Sequence, residues 1–115
     1  MGAAFERAAA RHLEARGLVI VARNFRCRAG ELDLICREGD VLVVVEVRMR
    51  RRADFGGALA SVSAAKQRRI LLATQYFLLL DPRWRGLRLR FDVLAWQGGG
   101  EDSTPLWIRD AFRGP

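Results

Sequence analysis

The sequence predicts an α/β domain: a mixed central sheet flanked by helices, with elements in the order α-β-β-β-α-β-β. Two observations carry this. First, the middle of the chain reads as a β-hairpin, Gly30 to Cys36 and Val41 to Met49 around a Gly39-Asp40 turn, that is apolar on most of both faces. A hairpin of that kind is a central pair in a covered sheet rather than a solvent-washed edge. Second, segments of helical spacing lie before and after this hairpin, and further alternating strands follow the second of them. A chain of 115 residues, half of them hydrophobic, suits one domain over 1–115.

The first helix runs over Ala3 to Arg16, with Phe5, Ala9, His12 and Leu13 as a narrow apolar stripe, Glu6 at its edge and Gly17 as its stop. His12, the only histidine, fits a helix-surface or packing role. Leu18 to Ala22 begins a strand that continues toward Phe25, and the hairpin follows. Arg50 to Ala60 reads as a loop, basic at its start and carrying Gly56-Gly57 after Phe55. Ser61 or Ser63 then caps a helix that reaches Leu80 and stops at Asp81-Pro82. Ile70, Ala73, Phe77 and Leu80 form its inward stripe, with Lys66 one turn earlier on the same side. Gly86 to Trp96 alternates as a strand, Gln97 to Pro105 is a Gly-rich excursion, and Leu106 to Arg109 is a short last strand.

Alternation also singles out a polar end on one hairpin face. Leu32, Leu34, Cys36, Val41, Val43, Val45, Val47 and Met49 make one face wholly apolar. The other carries Ile35, Leu42 and Val44 near the turn, then Asp33, Glu46, Glu31 and Arg48. With Gly39-Asp40 as a two-residue loop, Glu38 faces Val41, and counting outward sets Asp33 opposite Glu46 and Glu31 opposite Arg48. At an effective dielectric near 20, two like charges about 5 Å apart repel by roughly 3 kcal/mol. A divalent cation between the two carboxylates reverses that sign. A salt-bridged cluster, with Arg48 neutralising Glu31 and Asp33, is the alternative.

A strand aspartate followed across a hairpin by Glu-x-basic is the arrangement of metal-dependent nucleases with a D…ExK site. Asp33 and Glu46 would ligate Mg²⁺ or Mn²⁺, with the Val47 carbonyl, because these ions take oxygen ligands and keep several waters. The metal lowers the pKa of a bound water and offsets charge on the scissile phosphate. The side chain two residues past the glutamate projects from the same face, so Arg48 can orient the water and neutralise developing charge.

The blocks Gly2-Ala3-Ala4-Phe5-Glu6, Arg23-Asn24-Phe25-Arg26, Gly30-Glu31-Leu32-Asp33-Leu34-Ile35 and Val45-Glu46-Val47-Arg48-Met49-Arg50 resemble the YraN-like family. So do Phe55-Gly56-Gly57, Lys66-Gln67-Arg68-Arg69-Ile70, Arg90-Phe91-Asp92-Val93 and Ala111-Phe112, in the same order and over nearly the whole chain. That family is similar to the restriction-endonuclease-like superfamily, on the Holliday-junction-resolvase branch. The resemblance implies a resolvase-like mixed sheet with a Mg²⁺ nuclease site in which Glu6, Asp33 and Glu46 match the acidic positions. Resolvases of similar fold act as two-fold dimers, which leaves a homodimer open. The family usually has lysine where this chain has Arg48, a permanently charged planar group that cannot act as a neutral base. Lys66, the only lysine, is the other candidate for the site's cation.

The formal charge of +7 favours a polyanionic partner, here nucleic acid and DNA first. Of the 20 basic residues, 19 are arginine, which fits GC-rich coding bias and makes an arginine in a lysine position less informative. Arg50, Arg51 and Arg52 leave the strand just past the site and can clamp flanking phosphates, and Arg88 and Arg90 can add to the groove unless Asp92 pairs with one of them. Trp84, Trp96 and Trp107 fit packing better than base stacking. No apolar run approaches a membrane span, the first residues are not a signal peptide, and Cys27 and Cys36 lack metal-ligand spacing, which together suggest reduced thiols in the cytoplasm. Two rivals to the nuclease remain at this point: a nucleic-acid-binding module with a degenerate site, acting in DNA repair or processing, and a structural interaction domain.

Overall fold

Helix α1 (Ala3–Glu14) leads into strands β1 (Val19–Cys27), β2 (Gly30–Glu38) and β3 (Val41–Arg50). Helices α2 (Gly57–Ala60) and α3 (Ala64–Leu80) follow, then strands β4 (Arg88–Gln97) and β5 (Leu106–Phe112). This computed structural model describes residues 3–50 and 57–114. The strands lie side by side in chain order, β1-β2-β3-β4-β5. Neighbours run antiparallel except β3 and β4, which are parallel because α3 carries the chain back to the end of the sheet where β3 begins. The expected α-β-β-β-α-β-β order holds, with α2 as one extra turn of helix inside the expected loop.

Both faces of the sheet are covered, as the two-sided apolar hairpin requires. Ala8, Ala9 and Leu13 of α1 pack on Leu34, Cys36, Val43, Val45, Val47, Leu94 and Trp96. Ala58 of α2 and Ile70, Ala73 and Phe77 of α3 pack on Ile35, Leu42, Val44, Phe91 and Val93. Cys36 and Cys27 are free thiols, and burial pushes the Cys36 thiol up to about 12, so it behaves as a small apolar side chain. The indole N–H groups of Trp84, Trp96 and Trp107 are held by Asp81, the Ser103 carbonyl and Asp92. These tryptophans pack and anchor.

Gly17 ends the turn after α1 at φ +93°, a conformation that costs glycine little. Helix α3 begins at the second of the two candidate serines: Ser63 Oγ accepts the Lys66 N–H at 3.1 Å. It stops at Leu80, as expected, but Leu80 is exposed and Thr74 is buried in its place. The helix is apolar on several sides, so spacing alone could not choose its inward stripe. Strand β5 runs on to Phe112 rather than stopping at Arg109. Its pairing with β4 shifts between Phe91 and Val93, where Asp110 takes φ +52° and donates its N–H to Asp92 Oδ1 at 2.9 Å.

The hairpin register is the expected one from Glu38↔Val41 to Leu34↔Val45, and there the paired ladder ends. One facing assignment is overturned. Leu32 belongs with Ile35 in the α3-side core, not with Leu34 and Cys36 on the α1 side. Strand β1 changes face in step: Ala22 and Phe25, three residues apart, both touch the α3-side core opposite Ile35 and Leu32. Between them lies Asn24 at φ +51°, across from Asp33. A left-handed residue in mid-strand breaks the period of two, and asparagine is among the few non-glycine residues that adopt it cheaply. Asn24→Val is therefore expected to destabilise the protein by about 1–3 kcal/mol and Asn24→Gly to be close to neutral, read by chemical denaturation.

Candidate metal centre and its basic surroundings

The face change puts Asp33 where neither sheet face claims it. Its Oδ2 accepts the backbone N–H of Val47 at 2.9 Å, a donor that a β2 carbonyl would otherwise take. The carboxylate thus replaces a rung of the ladder and is fixed against β3 beside Glu46.

Glu46 is 4 % exposed and points to the α3 side, in sequence step with Val44. Two cations reach its Oε2: Lys66 Nζ at 3.4 Å from the first turn of α3, and Arg48 Nη1 at 3.6 Å. Both distances exceed the roughly 2.7–2.9 Å of a tight charge-assisted hydrogen bond. Burial and the neighbouring Asp33 charge therefore win over the cations, and the Glu46 carboxyl is pushed up to about 8. Arg48 also donates from Nη2 to the Ser61 carbonyl at 3.1 Å, which ties β3 to the segment before α3.

The third face of the site comes from α1. Carboxylate oxygens of Glu6, Glu31 and Asp33 lie within 4.8 Å of one another, all half-buried. Glu31 does not meet Arg48, as simple counting along the hairpin expects. With the ladder ended at Leu34 and the face changed at Asn24, Glu31 turns toward Glu6, and its ion pair is with Arg26 across β1 at 3.6 Å. Asp33 is the hinge of two groups: with Glu46 under α3, and with Glu6 and Glu31 beside α1. Sequence reasoning missed Glu31 as a donor. Its position two residues before Asp33 was a signal, but its partner depended on a face change that hydrophobic spacing conceals.

Does this donor set fit a hard divalent cation? The oxygens are all carboxylate, and one carboxyl is buried next to a second that repels it, a cost a cation would remove. Asp33 is the carboxylate common to both groups, with Glu46 on one side and Glu6 and Glu31 on the other. The donor chemistry fits Mg²⁺ or Mn²⁺.

The other expected basic residues are distributed differently. Arg88 and Arg90 pair with the turn end of β3, beside Val41 and Val43, about 17 Å and about 10 Å along the strand from Glu46. Arg90 is bound to Asp92 at 2.9 Å and to Glu38 at 2.8 Å, and Arg88 to Asp40 at 3.1 Å. The structure does not bring these two arginines to the carboxylates. Arg50 reaches the Gly57 carbonyl at the start of α2. Arg51 and Arg52, with Phe55 and Gly56, lie outside the described residues.

The molecule is thus a three-layer α/β domain with a carboxylate cluster where one strand pair parts and two cations on its buried member. The chain belongs to a family described as uncharacterised protein family UPF0102, whose model matches residues 5–96. It is 49 % identical over 112 residues to the UPF0102 protein of Pseudomonas entomophila, covering 96 % of this chain and 91 % of that one. The corresponding protein of Xanthomonas campestris pv. campestris is 52 % identical over 112 residues, covering 97 % and 90 %. That of Dechloromonas aromatica is 54 % identical over 104 residues, covering 90 % and 81 %. This is the YraN-like family that the sequence blocks resemble.

A pH dependence follows from Glu46. Its folded pKa is raised from 4.5 to about 8, so the stability it contributes is complete below the unfolded value and is lost as pH rises through the folded one. In chelator, wild type should therefore lose about 1–3 kcal/mol relative to Glu46→Gln between about pH 5 and pH 9. Parallel denaturation curves for the two proteins across that range would contradict the assignment.

Proposed function

We propose that this protein is a Mg²⁺-dependent nucleic-acid phosphodiesterase, with a D…ExK-type site in which arginine stands in the lysine position. The observation that carries this reading is the meeting of Asp33, the buried Glu46 and the Lys66 ammonium at the point where β2 and β3 part. The net charge of +7 adds to it by favouring a polyanionic substrate.

The chain's own residues divide the work. Asp33 and Glu46 would hold the ion, and Glu6 and Glu31 supply carboxylates on its α1 side. When bound, such an ion supplies a more acidic water and a counter-charge for phosphate. The Val47 N–H fixes Asp33 Oδ2, and the Asp33 carboxyl is hydrogen-bonded to that of Glu46, so the two acids are held together where an ion would sit. Lys66 and Arg48 are held at Glu46 Oε2 and can turn to a phosphate oxygen once that carboxylate is engaged. Lys66 is the better proton handler, because an ammonium can lose its proton and a guanidinium cannot. Arg48 is the better clamp, since the Ser61 carbonyl restrains its fork.

That restraint favours a second reading, a nucleic-acid-binding module whose site no longer cuts. Arg48 there would hold phosphate charge without supporting the chemical step.

A cleavage screen over branched, single-stranded and duplex substrates with Mg²⁺ and Mn²⁺ separates the two. The phosphodiesterase is expected to cut at least one class, slowly, with loss of at least about 100-fold in Asp33→Asn and Glu46→Gln. Arg48→Lys should raise the rate. If Lys66 supplies the ammonium, Lys66→Ala should lose cleavage at unchanged affinity while Arg48→Ala is mild; the reverse pattern assigns that role to Arg48. No cleavage by wild type or Arg48→Lys on any substrate leaves the binding module.

A further inference from the structure

The arginines of this chain differ in what holds them. At the turn end of the β2–β3 hairpin five are matched to acids, Arg83 to Asp81, Arg88 to Asp40, Arg90 to Asp92 and Glu38, Arg109 to Glu38, and Arg113 to Asp110, while Arg37 and Arg85 donate to the Gly39 and Leu78 carbonyls and Arg16 to His12. A cleft of about 680 Å³ opens there, but Arg88, Arg90 and Arg113 on its wall are already bound to carboxylates. At the other end the pattern changes. Among the described residues, Arg28, Arg68 and Arg69 are exposed with no acidic partner, as are Arg7, Arg11 and Arg23 on α1 and β1, and the first three are the ones that flank the first turns of α3 and the β1–β2 loop.

Their placement follows from the fold. Cys27 pairs with Gly30, so Arg28 and Ala29 form the two-residue loop of the β1–β2 hairpin. Arg69 lies against that loop: a Cβ on Gly30 would sit 3.6 Å from the Arg69 Cβ. On α3, Lys66 and Arg69 are three residues apart and share a helix face, so the line from Glu46 through Lys66 leads to Arg69 and the Arg28 loop. Glu31, two residues from Asp33, is the next step along β2 from Gly30.

We infer that Arg28, Arg68 and Arg69 form the phosphate-binding rim of this protein. Together with Lys66 they would grip the backbone of a nucleic-acid strand and lead it from the β1–β2 loop along the N-terminal half of α3 to the carboxylates. The inference rests on the nucleic-acid reading above and deepens it by choosing the side from which the strand arrives. Unpaired exposed guanidinium groups displace the cations condensed on a nucleic acid when they meet its phosphates, whereas an arginine already held by a carboxylate has less charge to offer. Recognition here goes through phosphates and carries no base reading.

The test measures binding of fluorescent oligonucleotides by anisotropy, in chelator, on an Asp33→Asn background so that cleavage does not enter. The combined Arg28→Ala, Arg68→Ala and Arg69→Ala variant should bind about tenfold more weakly at low salt. The slope of log affinity against log salt should flatten by about 2. Replacing the same three with lysine should keep affinity within about threefold, since the charge is retained. Arg88→Ala with Arg113→Ala, at the paired end, should bind like the parent. Circular dichroism confirms that each variant is folded. An unchanged slope in the alanine triple, with the parent binding normally, overturns the rim and leaves the phosphodiesterase reading untouched. Rim-dependent binding without any metal-dependent cutting by the native protein supports the rim and defeats the phosphodiesterase. A parent that binds no oligonucleotide overturns both.

Discussion

The hydrogen bond from the Val47 amide to the Asp33 carboxylate is the constraint on which the site depends. It gives the Val47 N–H a partner where the β2–β3 ladder stops at Leu34↔Val45, so the strands can part without leaving a buried donor unpaired. By standing in for a carbonyl, Asp33 is drawn against β3 next to Glu46. The opening of the strands then lets Glu31 turn to the α1 side and meet Glu6. The left-handed Asn24 across from Asp33 is the backbone counterpart of the same event on β1. Asp33→Ala would therefore remove a structural acceptor as well as a ligand, and Asp33→Asn, which keeps an acceptor, is the cleaner probe.

Charge is arranged unequally around this point. Asp92 on β4, paired with Val45 one register step from Glu46, is fully buried, yet it is satisfied by Arg90, the Trp107 indole and the Asp110 amide. Such a carboxylate is a fastener: its donors hold β4, β5 and the bulge between them. Glu46 is nearly as buried, but it faces a like charge and two cations at longer range, and burial beside Asp33 pushes its carboxyl well above the usual carboxylate range. The two buried acids of one sheet thus differ in kind, one closed by its neighbours and one open to a further cation. That contrast is why Glu46, and not Asp92, reads as the candidate functional acid.

Much of this was legible in the sequence. The two-residue turn at Gly39-Asp40 fixed the pairing of the apolar part of the hairpin, and from it the nearness of Asp33 and Glu46 followed by counting. Ser63 marked the start of α3 through its side-chain cap, and Asp81-Pro82 marked its end. Lys66 stood out as the only lysine, on the inward side of its helix. What counting could not see was the face change. Leu32 is apolar and fits either core, so nothing in the pattern betrays its move to the α3 side. Asn24 was the available sign, since asparagine tolerates positive φ, but the face change also depends on the Asp33 carboxylate taking the Val47 N–H across the hairpin, a tertiary contact. The reach of β5 to Phe112 depended likewise on Asp92 receiving the Asp110 amide across the sheet. Arg90 sat on a strand face that suited a groove, and only the structure shows its guanidinium bound to Asp92 and Glu38.

The central claim is that Asp33 and Glu46 together hold a divalent cation. Calorimetric titration of Mn²⁺ into the wild type, Asp33→Asn and Glu46→Gln, with no nucleic acid present, tests it most directly. The account predicts weak saturable binding by the wild type that is lost in both variants, each folded as judged by circular dichroism. Unchanged Mn²⁺ affinity in either variant, or no binding by the wild type at millimolar metal, would contradict it.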